Sequence, residues 1–262
     1  MARIVWYNAF MRWWVFERQA VGFTIVTVLV LTLLAFGIAY IRPNVSCSDR
    51  IKNGDEEEVD CGGSCPNQCL GGVPKPPEQI WSRVFPARLG GYDAAAFVVN
   101  PNFQAGSRDV RYSFKLYDKD NIRVGLREGR TFLYPNQETL FFEPSIDTGN
   151  RVPVKSVFVI ENIKWERVIE KEGLNLEVVK KDFSYNPNPS VTLTIANRSL
   201  FDEPALEVSV LLEGADGATY AASRTIVEQL PGESSRNIVF TWPGLSLERP
   251  LTIRPLYRRV LR

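Results

Sequence analysis

Residues 110–126 read VRYSFKLYDKDNIRVGL. Val110, Tyr112, Phe114 and Leu116 alternate with Arg111, Ser113 and Lys115, the period of two that puts apolar side chains on one face of a strand. Asp118-Lys119-Asp120-Asn121 is turn chemistry, and Ile122, Val124 and Leu126 resume the alternation on a returning strand. An antiparallel hairpin is the expectation. Further along, Val191, Leu193 and Ile195 predict another strand. Leu206, Val208 and Val210 predict one more, alternating with Glu207 and Ser209 ahead of an Ala215-Asp216-Gly217 turn.

The two halves look alike. Phe114 and Thr131 are 17 residues apart, as are Val208 and Thr225, and each half runs on into an aromatic strand, 140–142 or 239–242. A weak internal duplication accounts for this. Short strands at turn-punctuated intervals point to an all-β region of two tandem immunoglobulin-like antiparallel β-sandwiches. Their expected limits are 80–168 and 169–262, with the break where IEKEG at 169–173 interrupts the pattern. No cysteine follows Cys69, so each core relies on apolar burial, with Trp165 and Trp242 as large fillers.

Composition narrows the function. Lys plus Arg number 31 against 30 Asp plus Glu, a net charge of +1, which gives no electrostatic reason to expect nucleic acid as a partner. There is no histidine, so imidazole-dependent triads and the commonest general base and metal ligand are absent. No nucleophile-plus-base pair or phosphate loop stands out, and the chain reads as a non-enzyme without a required cofactor.

From Gln19 to Ile41 no residue is charged, and 21–41 reads VGFTIVTVLVLTLLAFGIAYI. As a helix it would reach roughly 30 Å, the thickness of a hydrocarbon core. One N-terminal transmembrane α-helix, an uncleaved signal anchor, is therefore expected over 21–41. Thr24, Thr27 and Thr32 can bond their hydroxyls back to the helix. In the preceding tail, 1–20, Trp6, Trp13 and Trp14 suit a headgroup belt, and Arg12 and Arg18 can snorkel to phosphates. Flanking Lys and Arg are tied at three on each side (Arg3, Arg12, Arg18 against Arg42, Arg50, Lys52), so the cysteines, which suit an oxidising space, set the orientation. The N-terminus is inside the plasma membrane and the C-terminal region outside the cytoplasm.

Between membrane and sandwiches, 42–79 is expected to be a cysteine-rich staple followed by a stalk. Residues 47–69 read CSDRIKNGDEEEVDCGGSCPNQC. Two disulfides among Cys47, Cys61, Cys65 and Cys69 are the default reading, with three pairings open. Four zinc thiolates are a second reading, although the opening spacing is not that of close-set knuckles. Calcium is a third, with Asp49, Asn53, Asp55, Glu57 and Asp60 as oxygen ligands that lack regular loop spacing. Pro74, Pro76 and Pro77 then make an extended spacer.

The matching residues Cys47, Asp49, Asn53, Gly54, Glu56, Asp60, Cys61, Gly62, Gly63 and Cys65 resemble a short motif, C-x-D-G-x-x-N…E-x-x-x-D-C-G-G-x-C, which recurs beside membrane anchors in surface proteins. Arg50 stands where the motif usually has glycine. With NPN at 100–102, SFKLYDKDN at 113–121 and VFTWP at 239–243, the chain resembles single-pass bacterial envelope proteins that carry this cluster and one or two immunoglobulin-like modules. The resemblance implies architecture and location, and no activity. Because sandwiches offer edges and loops to partners without chemistry, the expectation is a non-enzymatic envelope component in contact with the lipid bilayer and with envelope proteins, within a secretion or pilus-like assembly. The alternative is a surface adhesin binding an acidic polysaccharide through the basic first module (Arg83, Arg88, Arg108, Arg111, Arg123, Arg127, Arg130), while the basic stretch 254–262 reads as a last edge strand or a docking tail. Asn44 and Asn197 match the glycosylation acceptor pattern.

Overall fold

The structure, a computed structural model, describes residues 21–34, 36–37, 46–47, 49–65, 69–70, 72–87, 90–168, 173–185 and 188–260. They fall into two units, 1–66 and 67–262.

In the first unit a helix covers 21–34, and 36–37 are helical too. Thr27 donates to Phe23 O at 2.8 Å, and Thr32 to Leu29 O at 2.9 Å and Val28 O at 3.0 Å, so these hydroxyls are satisfied within the helix. The described helix is shorter than the expected 21–41 span. Residues 21–34 rise about 21 Å against a core of about 30 Å. No helix among the described residues is long and apolar enough to cross a membrane. The rest of that span, 35 and 38–41, lies outside the described residues, as do Trp6, Arg12, Trp13, Trp14 and Arg18.

The second unit is built of antiparallel sheets. Strands β1 (Glu78–Pro86), β2 (Tyr92–Val99), β3 (Ala105–Tyr117), β4 (Arg123–Leu133), β5 (Glu138–Ile146), β6 (Lys155–Ile163) and β7 (Glu166–Arg167) form the first half. The second half holds β8 (Leu176–Ser184), β9 (Ser190–Asn197), β10 (Leu206–Glu213), β11 (Thr219–Val227), β12 (Ser235–Thr241) and β13 (Thr252–Arg259). Sheet orders are β1-β2-β5 and β4-β3-β6 (with β7 on β3), then β12-β9-β8 and β11-β10-β13. The connectivity of β1–β6 is thus repeated by β8–β13. Asn100 and Asn197, Glu138 and Ser235, and Lys155 and Thr252 occupy matching places, each pair 97 residues apart. The 17-residue coincidence does not mark this repeat. Val208 faces Thr225 across its hairpin, whereas Phe114 faces Arg127 and Thr131 faces Val110.

Each pair of sheets encloses a core in sandwich-like fashion. In the first half Tyr112, Phe114, Phe141 and Phe158 fill it, with ring centroids 4.8 to 5.9 Å apart. Trp165 is only half-buried and is not part of that core, which the four edge-on and tilted rings fill without it. Trp242 is buried as expected and donates Nε1–H to Ala222 O at 3.3 Å.

The halves are themselves stacked. Phe85, Ala95, Phe97, Leu140 and Phe142, on the outer face of β1-β2-β5, pack against Leu211 and Ala222 on the outer face of β11-β10-β13. The sheets therefore form four layers, and the two inner ones are buried on both faces. Glu207 and Ser209, the polar partners in the β10 alternation, are 7% and 3% exposed because that face meets the other half.

The equivalent asparagines close each half at one end. Asn100 donates Nδ2–H to Ala105 O and Tyr134 O, both at 2.8 Å, and its Oδ1 accepts Asn102 N–H. Asn197 donates to Phe201 O and Leu230 O at 2.8 and 3.1 Å, and its Oδ1 accepts Ser199 N–H. At 0% and 1% exposure both amides are buried, so losing either one removes several buried hydrogen bonds at once. Asn197→Ala is expected to cost about 2–3 kcal/mol, read as a lowered urea midpoint at unchanged slope. An unchanged midpoint would refute the role. The burial also removes Asn197 as a glycosylation acceptor in the folded protein; Asn44 lies outside the described residues.

Candidate functional site

Both sequence-derived site proposals converge on the cysteine segment. Cys47 pairs with Cys65, their Cα atoms 5.6 Å apart, and Cys61 with Cys69, leaving no free cysteine. This resolves the open pairing and removes the zinc alternative, since a disulfide sulfur is not a thiolate ligand.

The acidic residues have local duties. Glu56 is 6% exposed, and its Oε2 accepts Asn53 N–H at 3.1 Å and Asp60 N–H at 3.3 Å. Its other oxygen lies 3.3 Å from Cys65 Sγ, a contact rather than a hydrogen bond because the sulfur carries no proton. Asp60 accepts Arg50 N–H at 3.0 and 3.1 Å. Asp49 accepts Ile51 N–H and, at 2.8 Å, Asn53 Nδ2–H. Asp55 accepts the Ser64 hydroxyl at 2.7 Å, and that bond holds its carboxyl below the ordinary value. Glu57 is exposed. No grouping of three metal-capable side chains among the described residues includes Asp49, Asp55, Glu57 or Asp60. Of the five residues proposed for calcium, Asp49 and Asp60 cap backbone amides, Asp55 accepts the Ser64 hydroxyl, Asn53 donates to Asp49, and Glu57 is exposed. Glu56, which the calcium reading passed over, organises the segment; its place in the sequence motif was the available signal.

Arg50, where the motif has glycine, sits at φ 64°. A side chain in that region costs about 1 kcal/mol. Arg50→Gly is expected to slow reduction of the segment by dithiothreitol several-fold, followed by thiol labelling; faster reduction would contradict the assignment.

The stalk is less free than its prolines suggest. Lys75 N–H donates to Asn102 Oδ1 and Asn102 Nδ2–H to Lys75 O, both at 2.8 Å, so the end of the spacer is held on the first half.

The basic residues divide. Arg83 donates to Thr219 O at 2.6 Å, Arg108 pairs with Glu166 at 2.8 Å, and Arg127 lies 3.8 Å from Glu143. Arg111 and Arg130 stand directly opposite on β3 and β4, with Asp109 4.0 Å from Arg130. Arg88 lies outside the described residues. The C-terminal arginines form an edge strand, not a free tail. Arg254 meets Glu138 at 2.6 Å and Arg259 meets Glu203 at 2.7 Å.

Arg258 is the most demanding of them. It is 5% exposed, bonds Glu207 at 2.6 Å, and donates to Phe132 O at 2.7 Å and Thr131 Oγ1 at 2.8 Å. Its guanidinium lies 3.9 Å from the Phe132 ring centroid. Burial draws its pKa down, and Glu207 opposes that shift. Arg258 and Glu207 come from the second half, Thr131 and Phe132 from the first, so this cluster bolts the halves together.

Beside that interface are two adjoining hollows of about 260 and 250 Å³ that share Asp93, Trp242 and Leu245. Burial raises the pKa of Asp93, whose Oδ1 accepts Ser145 N–H at 2.9 Å. Arg224, on the rim of the first, is turned toward Glu207 at 3.6 Å. The recess offers hydrogen bonds and one half-buried carboxyl.

No family model matches the chain, and no curated protein matches it.

Proposed function

We propose that this chain is a membrane-anchored, non-enzymatic component of a bacterial cell envelope that presents two tandem immunoglobulin-like β-sandwiches for protein–protein contact in an assembly. The observation that carries the reading is the repeated strand order locked face to face. Strands β1-β2-β5 with β4-β3-β6, and again β8-β9-β12 with β11-β10-β13, have the order of an immunoglobulin-like sandwich without its last strand. Stacked on one another, they make a stiff block whose sheet edges and outer faces suit partner contact rather than chemistry.

Anchoring is supported by the uncharged stretch from Gln19 to Ile41 and by the exposure of Phe23, Leu31 and Leu33 on the helix, at 75%, 60% and 69%. An apolar helix surface of this kind suits contact with lipid. Two disulfides support a location outside the reducing cytoplasm.

In-cell crosslinking from the outer sheet faces, with the full chain purified from membranes, tests the reading. Envelope proteins recovered at fixed ratio would support it, and recovery without any protein partner would overturn it. Arg111 opposite Arg130 supports a second reading, an adhesin for an acidic polysaccharide, since like charges are kept adjacent at a cost. That reading expects glycan in the crosslinked product and its loss on Arg111→Ser.

A further inference from the structure

The edges of the four sheets are not equally defended. Proline interrupts β5 at Pro144 and β13 at Pro255. On β8, the charged run Lys180-Lys181-Asp182 discourages pairing. Strand β6, KSVFVIENI, is also an edge, beyond β3 in the order β4-β3-β6, and has neither proline nor glycine. Its β-branched and aromatic run is of high strand propensity. Val159 is 37% exposed, and Val152 and Val154, just before the strand, are 62% and 61% exposed. Among the described residues the backbone of β6 pairs only with β3, and its contact with β1 of the facing sheet is through side chains, Ser82 Oγ to Ser156 Oγ at 2.9 Å.

The strand is also complementary to itself. Laid antiparallel on a second copy about Phe158, Val157 falls opposite Val159 and Lys155 opposite Glu161, twice over by symmetry. Lys155 and Glu161 are both exposed, and Glu161 sits at the register shift, without a partner of its own on β3. Val157 and Val159 share the outer sheet face with Lys115 and Ser113, so the four valines would meet in one apolar patch flanked by charge pairs.

We propose that β6 is a homodimerisation edge, pairing with β6 of a second copy to join two β4-β3-β6 sheets into one continuous six-stranded sheet. The inference gives the assembly reading a first partner. It rests on that reading only for its biological purpose.

Sedimentation equilibrium of the full chain in mild detergent tests it. Lys155→Glu and Glu161→Lys each place two like-charge pairs across the dyad. Each is expected to weaken self-association at least about tenfold. Mixing the two single variants restores opposite charges at both contacts, so a heterodimer is expected where neither variant self-associates. The double variant K155E/E161K is expected to dimerise like the parent. Both substitutions are on exposed positions, so loss of folding does not confound the result. A monomeric parent chain, or a dimer indifferent to these charges, overturns the edge assignment. Either outcome leaves the crosslinking test for envelope partners to succeed or fail by itself.

Discussion

Arg258→Ala is expected to destabilise the 67–262 unit by about 3 kcal/mol, lowering its Tm by roughly 6–12 °C. The substitution leaves Glu207, 7% exposed, without its closest partner, and strips donors from Phe132 O and Thr131 Oγ1 across the interface. Arg224, 3.6 Å from Glu207, keeps the carboxylate from being wholly uncompensated, which places the effect at the low end for a broken buried pair. Thermal unfolding followed at two wavelengths would also show whether the halves separate. The parent chain is expected to melt once, since Phe97, Leu140 and Phe142 tie the first half to Leu211 and Ala222 of the second. Replacing Arg258 and Glu207 together by apolar residues should cost less than Arg258→Ala, because no charge is then stranded. Equal or greater loss in the double variant would mean that packing against Phe132, rather than charge, dominates.

This interface explains what the sequence could and could not disclose. The outgoing arm of the 110–126 hairpin was legible because Val110, Tyr112, Phe114 and Leu116 all face the core. On the returning arm a register shift at Val124 leaves Ile122 and Leu126 each 46% exposed. Strand β2, YDAAAFVV, shows no alternation, since Ala94 and Ala96 face the inner core while Ala95 and Phe97 face the other half. A strand buried on both faces has no polar side to reveal it. Likewise Glu207 and Ser209 looked solvent-facing by pattern alone, and Arg258 looked like part of a basic tail. Their partners lie more than 50 residues away in sequence. In the cysteine segment, carboxylates that cap backbone amides and carboxylates that bind an ion belong to the same residue types. Only geometry tells them apart. The buried asparagines were visible as NPN and NRS, but their equivalence needed the 97-residue offset, which the side-chain pattern of the hairpins had displaced.

Gly63→Ala is the substitution expected to do most harm in the first unit. A Cβ there would stand 2.1 Å from the Asp55 carbonyl oxygen and 2.7 Å from its carbon, at φ +57°. The obstacle is backbone, not a side chain that can swing away, so relief requires moving the 53–60 loop. That loop is fixed by Glu56, through Asn53 N–H and Asp60 N–H, and Glu56 lies against Cys65. Displacing it therefore opens the ring closed by Cys47 and Cys65. Non-reducing peptide mapping is expected to show the Cys47–Cys65 linkage largely replaced by scrambled pairs. Gly217→Ala provides the contrast in the second unit. It shares a left-handed φ of +72° but has nothing within 4 Å, so only the conformational cost of about 1 kcal/mol is expected, with linkages intact. If Gly63→Ala oxidises to the native pairs as cleanly as the parent chain, the closed loop around Glu56 is not what directs the pairing.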